Sequence, residues 1–156
     1  RSYSVTGVQT CALPIWSLIP VTLFEHIGLF KEEYFIDFVD IEFCLRAKLN
    51  GYKIVQSKAQ LMFHSIGNQS FHKFPWKTTG TSNHLPFRRY YMCRNNILVA
   101  KEYFRPFPLW VINSVLNRLK TIILMLLFED RKLIKLKFTI LGFIDGLCGK
   151  TDRIII

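Results

Sequence analysis

Acidic residues are scarce in this chain of 156 residues: 11 Asp and Glu stand against 21 Lys and Arg, a formal net charge of +10. Cysteine is scarcer, at four residues, and no two form a C-x-x-C pair. That excludes a disulfide scaffold and the common zinc patterns. No run of about 18 uncharged apolar residues occurs, so a plain transmembrane helix is not expected. Internal repeats and low-complexity segments are also lacking. What the chain does have is apolar matter, 50% of its residues, with 15% aromatic. Such a composition buries enough surface to offset the entropy of ordering, which excludes disorder. The length suits one domain, at roughly 100–200 residues per domain. The positive surplus points to an anionic partner: nucleic acid, anionic lipid or a phosphorylated ligand.

The charge is unevenly placed. Residues 17–63 hold five basic and six acidic residues, residues 64–100 five basic and no acid, and residues 101–156 ten basic and five acidic. More than half of the carboxylates therefore share one segment, and bases follow it. A nucleic-acid binder more often mixes the two, whereas a metal–nucleotide enzyme has use for this order.

Arg1–Ile15 reads RSYSVTGVQTCALPI and has neither a period of 2 nor one of 3.6. It also lacks the charged start and continuous apolar core of a signal peptide. VTGVQTCALPI resembles the in-frame translation of a short-read sequencing adapter, so residues 1–15 are set aside as artefactual. The coding sequence is then expected to be cut near Trp16. Cys44, Cys93 and Cys148 remain, and they read as reduced core or surface thiols in a cytosolic setting.

From there the patterning predicts several helices and two short strands. Val21–Phe30 reads as a short helix closed by Gly28. A second helix begins at Phe38, with Phe38, Ile41, Leu45 and Leu49 on one face and Gly51 past its end. Asp37 or Asp40 suits its N-cap. Tyr52–Gln56 and Ala59–Phe63 read as strands, and residues 64–85 as a polar loop. Pro86 opens a helix to about Phe104. Pro106 and Pro108 break the chain before helices over Leu109–Phe128 and Arg131–Leu147.

The chemistry is concentrated in Phe35-Ile-Asp-Phe-Val-Asp-Ile-Glu-Phe-Cys-Leu-Arg46. Three carboxylates, Asp37, Asp40 and Glu42, crowd a helix start. A carboxylate fixed there has the rigid, outward aim that a general base needs. Neighbouring acids would raise its pKa, and the helix dipole would oppose that. The same residues also suit a plain cap with a Glu42–Arg46 pair one turn apart, worth roughly 0.3–0.5 kcal/mol.

GLFKEEYFIDFVDIEFCLRAKLNGYKI resembles the acceptor-side region of family 2 glycosyltransferases, most closely the bacterial rhamnosyltransferase branch. The resemblance implies Asp40 as the catalytic base, Glu42 as the second acid of the motif and Arg46 as its basic companion on the substrate side. Asp37 matches the branch without an implied role. Ser17-Leu18-Ile19 looks like the tail of a family segment in which Gly normally precedes, and Trp16 departs from it. His64-Ser-Ile-Gly67 resembles an H-x-I-G element, which implies His64 as a ligand of a divalent metal, Mg²⁺ or Mn²⁺. A strand-end His bonded to backbone is the plainer alternative. His26, His72 and His84 have no zinc-like spacing and read as structural or solvent-facing.

Phe87-Arg88-Arg89-Tyr90-Tyr91-Met92-Cys93-Arg94-Asn95-Asn96 resembles the R-Y-Y-x-x-R-N run of the branch. Arg88 and Arg89 near a helix start suit a diphosphate, with Arg94 further in; a basic solvated face is the alternative. GFIDGLCGKTDR resembles the tail of these enzymes, so the likeness runs from about Ser17 to Arg153. The resemblance then implies residues 16–104 as the C-terminal, acceptor-side part of an α/β GT-A domain, with residues 105–156 as amphipathic C-terminal helices.

Arg118 and Lys120 interrupt the apolar run after Trp110, which argues against a spanning helix and for one lying at a membrane surface or packed on a partner. The resemblance implies transfer of a sugar, plausibly rhamnose from dTDP-rhamnose, to a hydroxyl of a glycan or lipid-linked glycan, with inversion. The enzyme is expected to be cytoplasmic and peripheral at the inner membrane, with no nucleic-acid partner. The D-x-D metal motif of the family's first half is not in the sequence, so this chain alone is expected to be inactive. The competing reading is a non-enzymatic basic module for membrane surfaces or nucleic acid.

Overall fold

Glycine and proline set most of the helix limits. The computed structural model describes residues 18–55, 70–73 and 78–153. Helix α1 covers Val21–Ile27 and stops at Gly28 (φ 82°). A 3₁₀ turn over Glu32–Tyr34 leads to α2, Val39–Leu49, followed by Gly51 (φ 82°). Prolines open α3, Pro86–Tyr103, and α4, Pro108–Phe128, where a missing N–H is harmless. Helix α5, Lys132–Cys148, ends at Gly149 in the left-handed region.

The described residues are mostly helical, where the resemblance implies an α/β domain. Their one sheet is a pair of antiparallel strands, β1 (Ser70–Lys73) and β2 (Thr78–Thr81), with Ser70 opposite Thr81. It falls in the stretch read as a loop. Threonines favour extended backbone, and β2 leans on α4, which a hairpin of this size needs. Of the expected strands, Tyr52–Val55 reaches only an isolated bridge, and Ala59–Phe63 lies outside the described residues.

Helix α4 runs antiparallel to α3 after a tight corner. Asn96 donates to the Ser114 hydroxyl at 2.6 Å, and Val99, Val111 and Tyr103 pack with Tyr34, Phe38 and Leu45 into the core. Helix α5 returns parallel to α3, with Tyr90 donating to Asp145 (2.8 Å) and Lys101 to the Leu147 carbonyl (2.5 Å). Two glycines one turn apart, Gly142 and Gly146, face the α3 backbone at Tyr90 and Arg94 and allow that approach. Helix α2 buries more than the one face expected, including Asp40, Glu42, Phe43, Cys44 and Ala47, while Leu49 is exposed. Its N-cap is Phe38, and no side chain caps it, so neither Asp37 nor Asp40 takes that role.

Candidate functional site

The segment entering α2 is strained. Phe35 (φ 55°), Asp37 (φ 62°) and Phe38 (φ 67°) all lie in the left-handed region without being glycine. Each such residue costs on the order of 1–3 kcal/mol and persists only where the surroundings over-determine it. Here α3 does so. The Asn95 amide donates to three backbone carbonyls, Tyr34 (2.8 Å), Ile36 (2.9 Å) and Asp37 (2.9 Å). Arg94 donates to Glu33 O at 2.5 Å and, from its other nitrogens, to Thr151 O, Asp152 O and Asn95 Oδ1. Its guanidinium also stacks 4.8 Å from the Tyr91 ring. Phe38 lies under Arg118 of α4, 5.8 Å from the guanidinium carbon.

Asp40 follows two residues after this segment, in the first turn of α2. Its residue is 8% exposed, and Oδ1 lies 2.9 Å from the Ile41 amide. One turn on, Cys44 feels it: burial and then the Asp40 charge push the thiol up to about 12, which makes it unreactive. Glu42 points the other way and is 0% exposed. Its oxygens accept from Tyr103 (2.7 Å) and Arg46 (3.0 Å), with Lys31 at 3.3 Å. Burial and then the Glu42 bond raise the Tyr103 phenol well above its usual range. Asp40 and Glu42 are thus not a facing pair.

The four arginines expected to meet substrate each have an internal partner. Arg46 donates to the Ile27 (2.5 Å) and Leu29 (2.8 Å) carbonyls, tying α1 to α2. Arg88 makes a two-point bond to Asp37, both contacts 2.9 Å, and this residue alone among the four keeps substantial exposure. Arg89 is buried on Glu129. Arg94 is 0% exposed and holds backbone. In this structure Arg46, Arg89 and Arg94 therefore act on the scaffold, and the diphosphate expectation finds an accessible guanidinium only at Arg88. The physical reason is that carbonyls and carboxylates brought close by folding compete for the same donors.

Glu129 joins the far ends of the helices. It accepts from Arg89, from Lys135 (2.9 Å) and from the backbone N–H of Asn83 (3.2 Å) while almost fully buried. Burial alone would raise its carboxyl, but the bond from Lys135 and the Arg89 charge hold it below the usual range. His84 stands beside this network. Burial and then the charges of Arg88 and Arg89 lower its pKa to about 4, so it is neutral near pH 7.

His64 lies outside the described residues. Among those that are described, no three His, Cys, Asp or Glu side chains gather to hold a metal ion. The described residues alone therefore supply no divalent site. Sequence reasoning missed Asn95, Asp37, Glu129 and Tyr103 as organisers. Asn95 stood inside the quoted R-N-N string, and the Gly142-x-x-x-Gly146 spacing was readable as a close helix contact. Glu129 and Tyr103 carried no local signal.

Comparison with known proteins gives one informative likeness. The chain is 32% identical over 137 residues to a protein named dTDP-rhamnosyl transferase RfbF from Shigella flexneri. The match covers 86% of this chain and 44% of that protein, so the chain spans less than half the length of this curated relative. No family model matches the chain, and no solved structure does.

Proposed function

We propose that this chain is the acceptor-side part of a rhamnosyltransferase-like glycosyltransferase of family 2, with the remaining GT-A elements outside its described residues. The observation that carries this reading is the likeness over 137 residues to a protein named for dTDP-rhamnosyl transfer. The donor is then a nucleotide sugar, dTDP-rhamnose, and the acceptor a hydroxyl of a glycan or lipid-linked glycan.

Asp40 is the general base of this reading. Its carboxylate takes the proton of the acceptor hydroxyl while that oxygen forms the new bond to the anomeric carbon. The bond from that carbon to the diphosphate breaks, dTDP leaves with the electron pair, and the configuration inverts. The strained Phe35–Phe38 segment supports the assignment, because strain held by outside donors is a means of fixing a group in place. Arg88 is the guanidinium placed to meet an anionic group, in exchange for Asp37. Glu42 serves by holding α2 against Tyr103 and Arg46. A divalent ion, Mg²⁺ or Mn²⁺, would neutralise the leaving diphosphate, with His64 as this chain's ligand.

The test is a chimera in which this chain replaces the matching region of the Shigella relative, assayed for dTDP release from dTDP-rhamnose with a glycan acceptor. Turnover is expected, with Asp40→Asn lowering kcat by roughly 10²–10⁴-fold, the usual contribution of a positioned base. Turnover that survives Asp40→Asn unchanged refutes Asp40 as the base, whereas a chimera without turnover favours a non-enzymatic basic module.

A further inference from the structure

Helices α4 and α5 leave large apolar faces uncovered. Leu116, Ile123 and Leu127 on α4, and Leu133, Ile140 and Ile144 on α5, are between 48% and 83% exposed. An apolar surface of that extent marks an interaction site. The charges on it decide the partner. Lys120, Lys132 and Lys137 are exposed on the same two helices, whereas the single carboxylate within either helix, Asp145, is turned to Tyr90 and Lys150. The outward faces therefore combine leucine and isoleucine with positive charge alone.

We infer that the outer faces of α4 and α5 dock on an anionic lipid surface, lying in its interface with the lysines at headgroup level. The complementarity is that of surface-bound helices: an apolar face enters the acyl boundary while Lys meets the anionic headgroups. Helix α4 is long and apolar enough to cross a bilayer by length and composition. Its inner face argues for lying flat. Ser114 accepts from Asn96, Val111 and Met125 are buried, and Arg118 covers Phe38. Crossing would strip α4 from α3 and place Arg118 in hydrocarbon, whereas docking keeps every one of these contacts. The surface so used is separate from Asp40, and the inference does not depend on the transferase reading.

The purified 156-residue chain is mixed with vesicles of phosphatidylcholine containing 30% phosphatidylglycerol, or of phosphatidylcholine alone, and floated on a density gradient. Association with the anionic vesicles is expected, weakening as salt rises. Replacing Lys120, Lys132 and Lys137 together by Gln should weaken it about 100-fold, at roughly fivefold per lysine. Ile123→Asn and Ile144→Asn should each weaken it roughly tenfold or more, with the circular dichroism unchanged. No association with anionic vesicles at 0.1 M salt overturns the inference. Resistance to extraction by alkaline carbonate also overturns it, in favour of a spanning helix. So does a dimer broken by Ile123→Asn but indifferent to the lysine changes, which assigns the face to a second copy. Because no donor or acceptor is present, failure here leaves the chimera assay untouched, and the reverse holds.

Discussion

Gly142→Ala puts the packing of α5 on α3 to a quantitative test. A β-carbon built at Gly142 overlaps the carbonyl oxygen of Tyr90 and stands 3.0 Å from its carbon and 3.1 Å from its Cα. The obstacle is helix backbone, which has no rotamer to yield. Restoring a normal van der Waals separation moves α5 out by about 1 Å. Overpacking of this kind costs roughly 1–3 kcal/mol, with the upper end fitting an immovable neighbour. The shift also breaks the 2.8 Å bond from Tyr90 to Asp145, worth about 1 kcal/mol. Alanine returns about 1 kcal/mol through helix propensity. The net loss is about 3 kcal/mol, which lowers Tm by roughly 6–12 °C in a chain of this size. Thermal melting followed at 222 nm measures it. Gly146→Ala should cost less, since its β-carbon meets Arg94 O and Ile97 Cβ at 2.9 Å. An unchanged or raised Tm for Gly142→Ala refutes the close seating of α5 on α3.

Two further outcomes follow from the site. Asn95→Ala leaves the carbonyls of Tyr34, Ile36 and Asp37 without their shared donor, so urea denaturation should show a loss of roughly 2–3 kcal/mol, and Asn95→Asp, which has no N–H to give, should do no better. His84 has a folded pKa of about 4 against 6.5 when free, so the unfolded chain binds the proton first, and stability should fall as pH drops from about 6.5 to about 4. Urea midpoints across that range check this; His84→Gln should flatten the decline above pH 4.5. Glu129, held below its usual range, adds its own loss only at lower pH.

Much of the helical architecture was legible because it depends on near neighbours. Pro86, Pro108, Gly51 and Gly149 mark helix limits within a residue or two of where the chain places them. The acidic string also stood out. Its geometry did not, because a left-handed Phe35 or Phe38 has no signature in residue type and is imposed by donors some 60 positions away on α3. The internal partners of the arginines were hidden for the same reason. A sequence shows that Arg89 and Arg94 are cations, but only closure of the fold brings Glu129 to one and the 151–152 carbonyls to the other. The resemblance made Glu42 the second acid beside Asp40, whereas the α2 surroundings turn it toward Tyr103 and Arg46. The β1–β2 pair was hidden by short polar strands that alternate too little to register.

Arg94 also sets an order in time. It is bound at once to Glu33 on the segment before α2 and to Thr151 and Asp152 beyond α5. During synthesis Glu33 and Arg94 are made long before their common third partner. Thr151 lies 57 positions after Arg94, an interval of roughly 3–11 s at a translation rate of about 5–20 residues per second. Until then the guanidinium lacks its acceptors at Thr151 and Asp152, and the left-handed turn ahead of Asp40 lacks its complete clamp. The clamp ahead of Asp40 is thus complete only when α5 and residues 151–152 have been made and docked.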